Sequence, residues 1–123
     1  MLFQTKQIRG VGRGHSVGFP TINLVVPNDL ILDEGIYAVW VVINDKTYKG
    51  ALHYGAIPTF NLKEKTMEVH LIGITDDTVP TTEGVEIEID VVEHLRGVKK
   101  FADSEELAFQ IAKDIKNVNN ILH

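Results

Sequence analysis

The sequence predicts a mainly β fold, a closed antiparallel barrel with one α-helix at its C-terminal end. Three observations carry this expectation. Short β-branched and aromatic stretches recur along the chain with turn residues between them. One of them, Val85 to Val92, alternates cleanly, with Val85, Ile87, Ile89 and Val91 on one face and Glu86, Glu88 and Asp90 on the other. Beyond Asp103 the apolar period changes from that of a strand to that of a helix. Closing the sheet removes exposed edges, and a small barrel can hold a ligand at its mouth.

The first specialised stretch is Gly10 to Asn23, GVGRGHSVGFPTIN. Gly10, Gly12, Gly14 and Gly18 allow positive φ and a close approach of another molecule to the main chain. Exposed amides in such a loop make a concavity for phosphate oxygens, to which Arg13 adds a fixed charge and a planar fork of donors. Neither standard phosphate motif fits: Phe19 and Pro20 follow Gly18 where a P-loop needs lysine and Ser/Thr, and Val17 stands where a dinucleotide fingerprint needs glycine. Pro20 instead favours extended geometry, and Thr21 to Val25 alternates like a strand. Thr21 and Asn23 therefore share a face, where two neutral oxygens suit a hard cation such as Mg²⁺. The same spacing also fits ordinary turns, with Thr21 and Asn23 bonding local backbone.

Gly35 to Ile43 is apolar on both faces and reads as a covered strand, turned back by Asn44, Asp45 and Lys46 into a second arm from Thr47 to Tyr54. Ala56 to Phe60 contains Pro58 and reads as a loop or edge. Met67 to Ile74 is a further strand, and Thr75 to Gly84 has loop chemistry whose length suggests mobility. The final helix has Asp103 or Ser104 as cap, Glu105 and Glu106 in its first turn, and a stripe of Leu107, Ile111, Ile115, Val118 and Leu122. It should plug or flank the sheet.

Composition narrows the function classes. One domain spanning 1–123 is expected, with 44% hydrophobic and 24% charged residues, which excludes a disordered chain. A net charge of −5 argues against a general nucleic-acid binder, while leaving a compact anion pocket possible. The absence of cysteine excludes disulfides, thiolate nucleophiles and Cys-based zinc sites and fits a reducing cytoplasm. No signal peptide and no run approaching the roughly 20 apolar residues of a membrane span is visible, so an intracellular protein without membrane attachment is expected.

Glu68 interrupts an apolar strand, with His70 two positions on and on the same face. A strand carboxylate either faces water or has a chemical task, because burying it without partners is costly. For phosphoryl transfer to an alcohol it would serve as the base that takes the hydroxyl proton. Taken alone, Glu68 also reads as an exposed strand residue, and His70 as a hydrogen-bonded one.

Several stretches resemble the riboflavin kinase family. Arg13-Gly14 followed by Gly18-Phe19-Pro20-Thr21-x-Asn23-Leu24 looks like its nucleotide-binding loop, and Met67-Glu68-Val69-His70 like its Glu-x-His strand. Gly35-Ile36-Tyr37, Gly55-x-x-Pro58-Thr59-Phe60, Leu95-Arg96-Gly97-Val98-Lys99-Lys100-Phe101 and Gln110-Ile111-x-x-Asp114 match further segments in the same order. The resemblance covers nearly the whole chain. It implies a six-stranded antiparallel Greek-key barrel with a C-terminal helix, and a stand-alone riboflavin kinase making FMN and ADP from riboflavin and ATP with Mg²⁺ or another divalent cation. It also implies site roles. Gly10, Gly12, Arg13, Gly14 and His15 would meet the nucleotide phosphates, and Thr21 and Asn23 would hold the metal. Leu71 and Gly73 would lie near the adenine, Arg96, Lys99 and Phe101 would meet the flavin, and Glu68 would be the general base. The expected partners are these small molecules, with no nucleic acid, no membrane and a monomeric chain.

Three positions depart from the family pattern. His15 stands where many members have a second arginine, His53 opens the His53-Tyr54-Gly55 segment where an asparagine is usual, and Thr81-Thr82-Glu83-Gly84 replaces a segment with an aromatic flap residue. They leave open a flavin- or nucleotide-binding barrel without turnover. A structural interaction domain whose glycines are only turns is a third reading.

Overall fold

The computed structural model describes residues 1–8, 20–56, 65–74, 84–98 and 101–122. They form six strands and a helix: β1 (Leu2–Lys6), β2 (Thr21–Leu24), β3 (Gly35–Ile43), β4 (Lys46–Ala56), β5 (Lys65–Ile72), β6 (Glu86–Arg96) and α1 (Ser104–Ile121). All pairings are antiparallel, in the order β1-β6-β3-β4-β5-β2. Strands β3, β4 and β5 follow one another, and β6 returns beside β3, which is the Greek-key arrangement.

The two ends of the sheet meet. Gln7 bridges to Leu24, Ile8 N–H donates to the Asn23 carbonyl at 2.8 Å, and Val25 N–H donates to the Lys6 carbonyl at 2.9 Å. The Thr5 hydroxyl also bonds the Val25 carbonyl across this seam. The sheet thus curls until its two ends touch over this short seam, in the manner of a barrel.

Alternation along each strand fills the interior. Ile22, Leu24, Val39, Val41, Leu52, Met67, Val69, Leu71, Ile87 and Ile89 point inward as one buried cluster. The alternation expected from Val85 to Val92 is borne out, although β6 runs further, to Arg96. Asn44 and Asp45 take positive φ, 50° and 67°, giving the tight hairpin turn that these two residue types tolerate. Strand β1 is the element that the periodicity of the sequence does not announce.

The helix starts as its residues dictate. The Asp103 carboxylate accepts from Glu106 N–H at 2.8 Å, and the acidic first turn complements the helix dipole. Val118 and Leu122 pack on Ala38 and Ala51 from the outer side of the barrel wall. Two alanines on adjacent strands leave room for a helix to come close. Among the described residues no helix is long and apolar enough to cross a membrane.

Candidate functional site

Strand β5 divides its side chains between two environments. Met67, Val69 and Leu71 enter the barrel, so Glu68 and His70 must face the outer wall. Strand β2 behaves in the same way, with Ile22 and Leu24 inside and Thr21 and Asn23 outside. The β2–β5 register sets Asn23 opposite Glu68 and Thr21 opposite His70. The β4–β5 register then sets His53 and Ala51 on the other side of the same two residues. Two rows cross the wall: His53, Glu68, Asn23 and, beside it, Ala51, His70, Thr21. Directly opposed residues on one face have Cβ atoms about 5 Å apart, so these side chains are neighbours.

The helix overhangs this wall. Between them lies a cavity of about 80 Å³, with His53, Glu68, His70, Arg96 and Asp114 as its polar lining and Ile36, Phe101, Leu107 and Ile111 among its apolar lining. This volume accommodates several waters or part of a larger ligand.

Arg96 and Asp114 form an ion pair in the cavity. Arg96 donates from Nε to Asp114 Oδ1 at 3.0 Å, from Nη2 to Oδ2 at 2.7 Å and from Nη1 to the Gly97 carbonyl at 2.9 Å. Gln110 Nε2 adds a third donor to Asp114, at 3.0 Å. The fork of Arg96 therefore fastens β6 to α1, with three of its five N–H groups engaged among the described residues. Both histidines lining the cavity are pushed toward the neutral form. Burial, with His53 nearby and Asp114 only partly opposing, takes His70 down to about 4. Burial first and the Arg96 charge second lower His53 from its ordinary value.

Thr21 Oγ1 and His70 Nδ1 are 2.9 Å apart. The Thr21 hydroxyl and the Asn23 amide, set beside the Glu68 carboxylate, are hard oxygen donors of the kind Mg²⁺ accepts. Few protein ligands suffice when phosphate and water complete the shell. Among the described residues no cluster of three or more His, Cys, Asp or Glu side chains forms a self-sufficient metal site. The donor set fits a hard divalent cation whose remaining ligands are supplied from outside these residues.

The other residues singled out by sequence fall as follows. Phe101 lines the cavity with Arg96 and Glu68. Leu71 points into the barrel core, and its backbone N–H donates to the Pro20 carbonyl at 2.9 Å, so only its main chain can meet a ligand. Gly73 has φ of 84° with open space where a side chain would stand. Gly10, Gly12, Arg13, Gly14, His15 and Lys99 lie outside the described residues, as do residues 75–83. Sequence reasoning gave no site role to Asp114 and noted His53 only as a departure. Asp114 did carry a signal, since an acid sits between Ile111 and Val118 on the apolar stripe of the helix.

Fold and wall together define a β-barrel domain that carries carboxylate, hydroxyl and amide side by side on one face of its wall. Comparison with known proteins supplies the family: residues 1–122 match Flavokinase, the riboflavin kinase family, and the chain belongs to it. It is 34% identical over 111 residues to the bifunctional riboflavin kinase/FMN adenylyltransferase of Bacillus subtilis, covering 87% of this chain and 34% of that protein. It is 32% identical over 117 residues to the trifunctional protein RibF/MnmA of Mycoplasmoides gallisepticum, covering 94% of this chain and 17% of that one. A third relative, the RNA-binding riboflavin kinase RibR of Bacillus subtilis, is 32% identical over 112 residues, covering 90% and 46%. The chain thus spans less than half the length of each of these relatives. A solved structure described as a macrolide-efflux protein from Streptococcus pneumoniae superposes with a TM-score of 0.82 over 97% of this chain and 38% of that one. At 24% identity that likeness shows the fold alone.

Proposed function

We propose that the chain phosphorylates riboflavin, moving the γ-phosphoryl group of ATP to the terminal ribityl hydroxyl to give FMN and ADP. The observation that carries this reading is the register that sets Asn23 opposite Glu68, next to Thr21, on one face of the wall. It joins a proton acceptor to a pair of metal-type oxygens. Membership of the riboflavin kinase family supports the choice of substrates.

In this reading the hydroxyl oxygen of riboflavin bonds to the γ-phosphorus, the bond from that phosphorus to the β–γ bridging oxygen breaks, and Glu68 takes the hydroxyl proton. Thr21 and Asn23 hold Mg²⁺, which when bound offsets the negative charge of the phosphate oxygens. Gly10, Gly12, Arg13, Gly14 and His15 cradle the phosphates, while Gly73 and the main chain of Leu71 border the adenine. Arg96, Lys99 and Phe101 face the flavin, with Arg96 already oriented by Asp114. Positioning of the two substrates is the larger part of such catalysis. The net charge of −5 supports small anions in a local pocket over nucleic acid as partner.

The test is to incubate the protein with riboflavin, ATP and Mg²⁺ and follow FMN by chromatography. Glu68→Gln should slow FMN formation by roughly 10²- to 10⁴-fold while riboflavin still binds. Equal rates with the variant would remove Glu68 as the base. Tight flavin binding without any FMN from the unaltered chain would favour a binding module.

A further inference from the structure

His70 stands between the two halves of the proposed site. Its ring lines the cavity that also holds Glu68, and its Nδ1 is 2.9 Å from the hydroxyl oxygen of Thr21 on the neighbouring strand. The contact is built in by the backbone. Thr21 and His70 are register partners, and the Leu71 N–H to Pro20 carbonyl bond pins the start of β2 against β5 beside them. His70 is 7% exposed, so its ring has little freedom to turn away.

A threonine hydroxyl can point its oxygen lone pairs at a cation only if its hydrogen goes elsewhere, because O–H and cation repel. The hydrogen then needs an acceptor on the opposite side. Nδ1 of His70 is such an acceptor at hydrogen-bond distance, provided that the ring carries its own hydrogen on Nε2. Were the roles reversed, Nδ1–H would occupy a lone pair of Thr21 and oppose metal binding.

We infer that His70 is a positioning residue: its Nδ1 accepts the Thr21 hydroxyl hydrogen and so fixes that oxygen with its lone pairs facing the divalent cation of the bound nucleotide. This rests on the reading of Thr21 as a ligand of the metal–nucleotide complex. It adds that the preparation of this ligand lies on a different strand, in a residue whose ring also borders the acceptor cavity. Outer partners of metal ligands commonly matter by 10- to 100-fold in affinity.

The experiment measures ADP binding by titration calorimetry, with Mg²⁺ and again with excess EDTA, on the whole chain and on Thr21→Val, His70→Ala, His70→Asn and His70→Gln. Asparagine carries its amide on the same carbon that bears Nδ1, so its oxygen can replace that acceptor. Glutamine sets its amide one carbon further out. Thr21→Val should lose most of the Mg²⁺-dependent part of the affinity. His70→Ala and His70→Gln should weaken Mg²⁺-ADP about tenfold or more and leave ADP in EDTA nearly unchanged, while His70→Asn should stay within about threefold of the parent. His70→Ala should add nothing in the Thr21→Val background.

If Thr21→Val binds Mg²⁺-ADP as the parent does, the ligand reading of Thr21 fails and the role of His70 falls with it. If Thr21→Val loses affinity but His70→Gln binds as tightly as the parent, or more tightly, the ligand reading stands and the role of His70 alone is overturned. The Asn–Gln comparison keeps the question answerable even where His70→Ala does not fold. The EDTA arm separates positioning from a general loss of structure, which would weaken both forms of the nucleotide.

Discussion

Asp114→Ala is the substitution whose effect can be worked furthest. The Asp114 carboxylate accepts two bonds from Arg96, at 3.0 and 2.7 Å, and one from Gln110, at 3.0 Å, with side-chain exposures of 5% for Asp114 and 18% for Arg96. Removing one partner of a buried pair costs about 3–5 kcal/mol, chiefly because the remaining charge loses its counter-ion in a poor solvent. Arg96 keeps some access to water, so the low end, about 3 kcal/mol, is expected. With an unfolding entropy of about 2.1 cal/mol/K per residue, this lowers the melting temperature of a chain of this size by roughly 12 °C. Urea unfolding followed by circular dichroism measures it. The paired change Arg96→Met with Asp114→Leu should lose far less than the two single changes added together, since Leu107 and Ile111 offer the new side chains apolar company. A loss under about 1 kcal/mol for Asp114→Ala would place the pair among solvent-screened surface bridges. A double variant as weak as the sum of the singles would likewise refute the view that desolvated charge, not packing, sets the cost.

Two further outcomes follow from the wall and the core. His70 has a folded pKa of about 4 against 6.5 when unfolded, so between these values the unfolded chain binds more protons and stability must rise with pH. The contribution is complete above 6.5 and lost progressively down to about 4, a change of roughly 3 kcal/mol, to which the lowered His53 adds in the same direction. Urea midpoints of the metal-free protein at pH 7 and 4.5 should show the fall, and His70→Asn should flatten it; an unchanged profile would refute this source. In the core, a Cβ on Gly50 would lie 2.7 Å from Val69 Cγ2, 3.0 Å from Val41 Cγ2 and 3.2 Å from Val39 Cγ2. Gly50→Ala should cost about 1–3 kcal/mol by overpacking, and Val69→Ala in the same chain should recover part of it in the same unfolding assay.

What could be read from the residues divides along physical lines. The helix was legible because Asp103, Glu106 and the stripe from Leu107 to Leu122 are local signals that act within one element. β6 was legible through its alternating valines and isoleucines, and the shared face of Thr21 with Asn23, and of Glu68 with His70, follows from the period of a strand. Local pattern does not say that β2 lies beside β5, which is what brings those two pairs together. Strand β1 has only LFQTK, a weak alternation, and is held as a strand by β6. Arg96 drew attention as a cation for a flavin, yet its nearest anion is Asp114, and that pairing spans two elements. Leu71 sits one residue from His70, but a step of one on a strand crosses the wall from site to core.

Strand β1 pairs with a segment lying some 90 positions away, as the bond from the Met1 amino group to the Val91 carbonyl shows. Strands β3, β4 and β5 neighbour one another in order along the chain, whereas the β1–β6 pairing has to close a loop of most of the sequence, a contact whose closure entropy makes it the slower one to form. The pairing of β1 with β6, and the seam it makes with β2, then turn an open, curled sheet into a closed one. The oxygen row of β2 is thereby tied in from both sides, by its register with β5 and by the short seam with the end of β1.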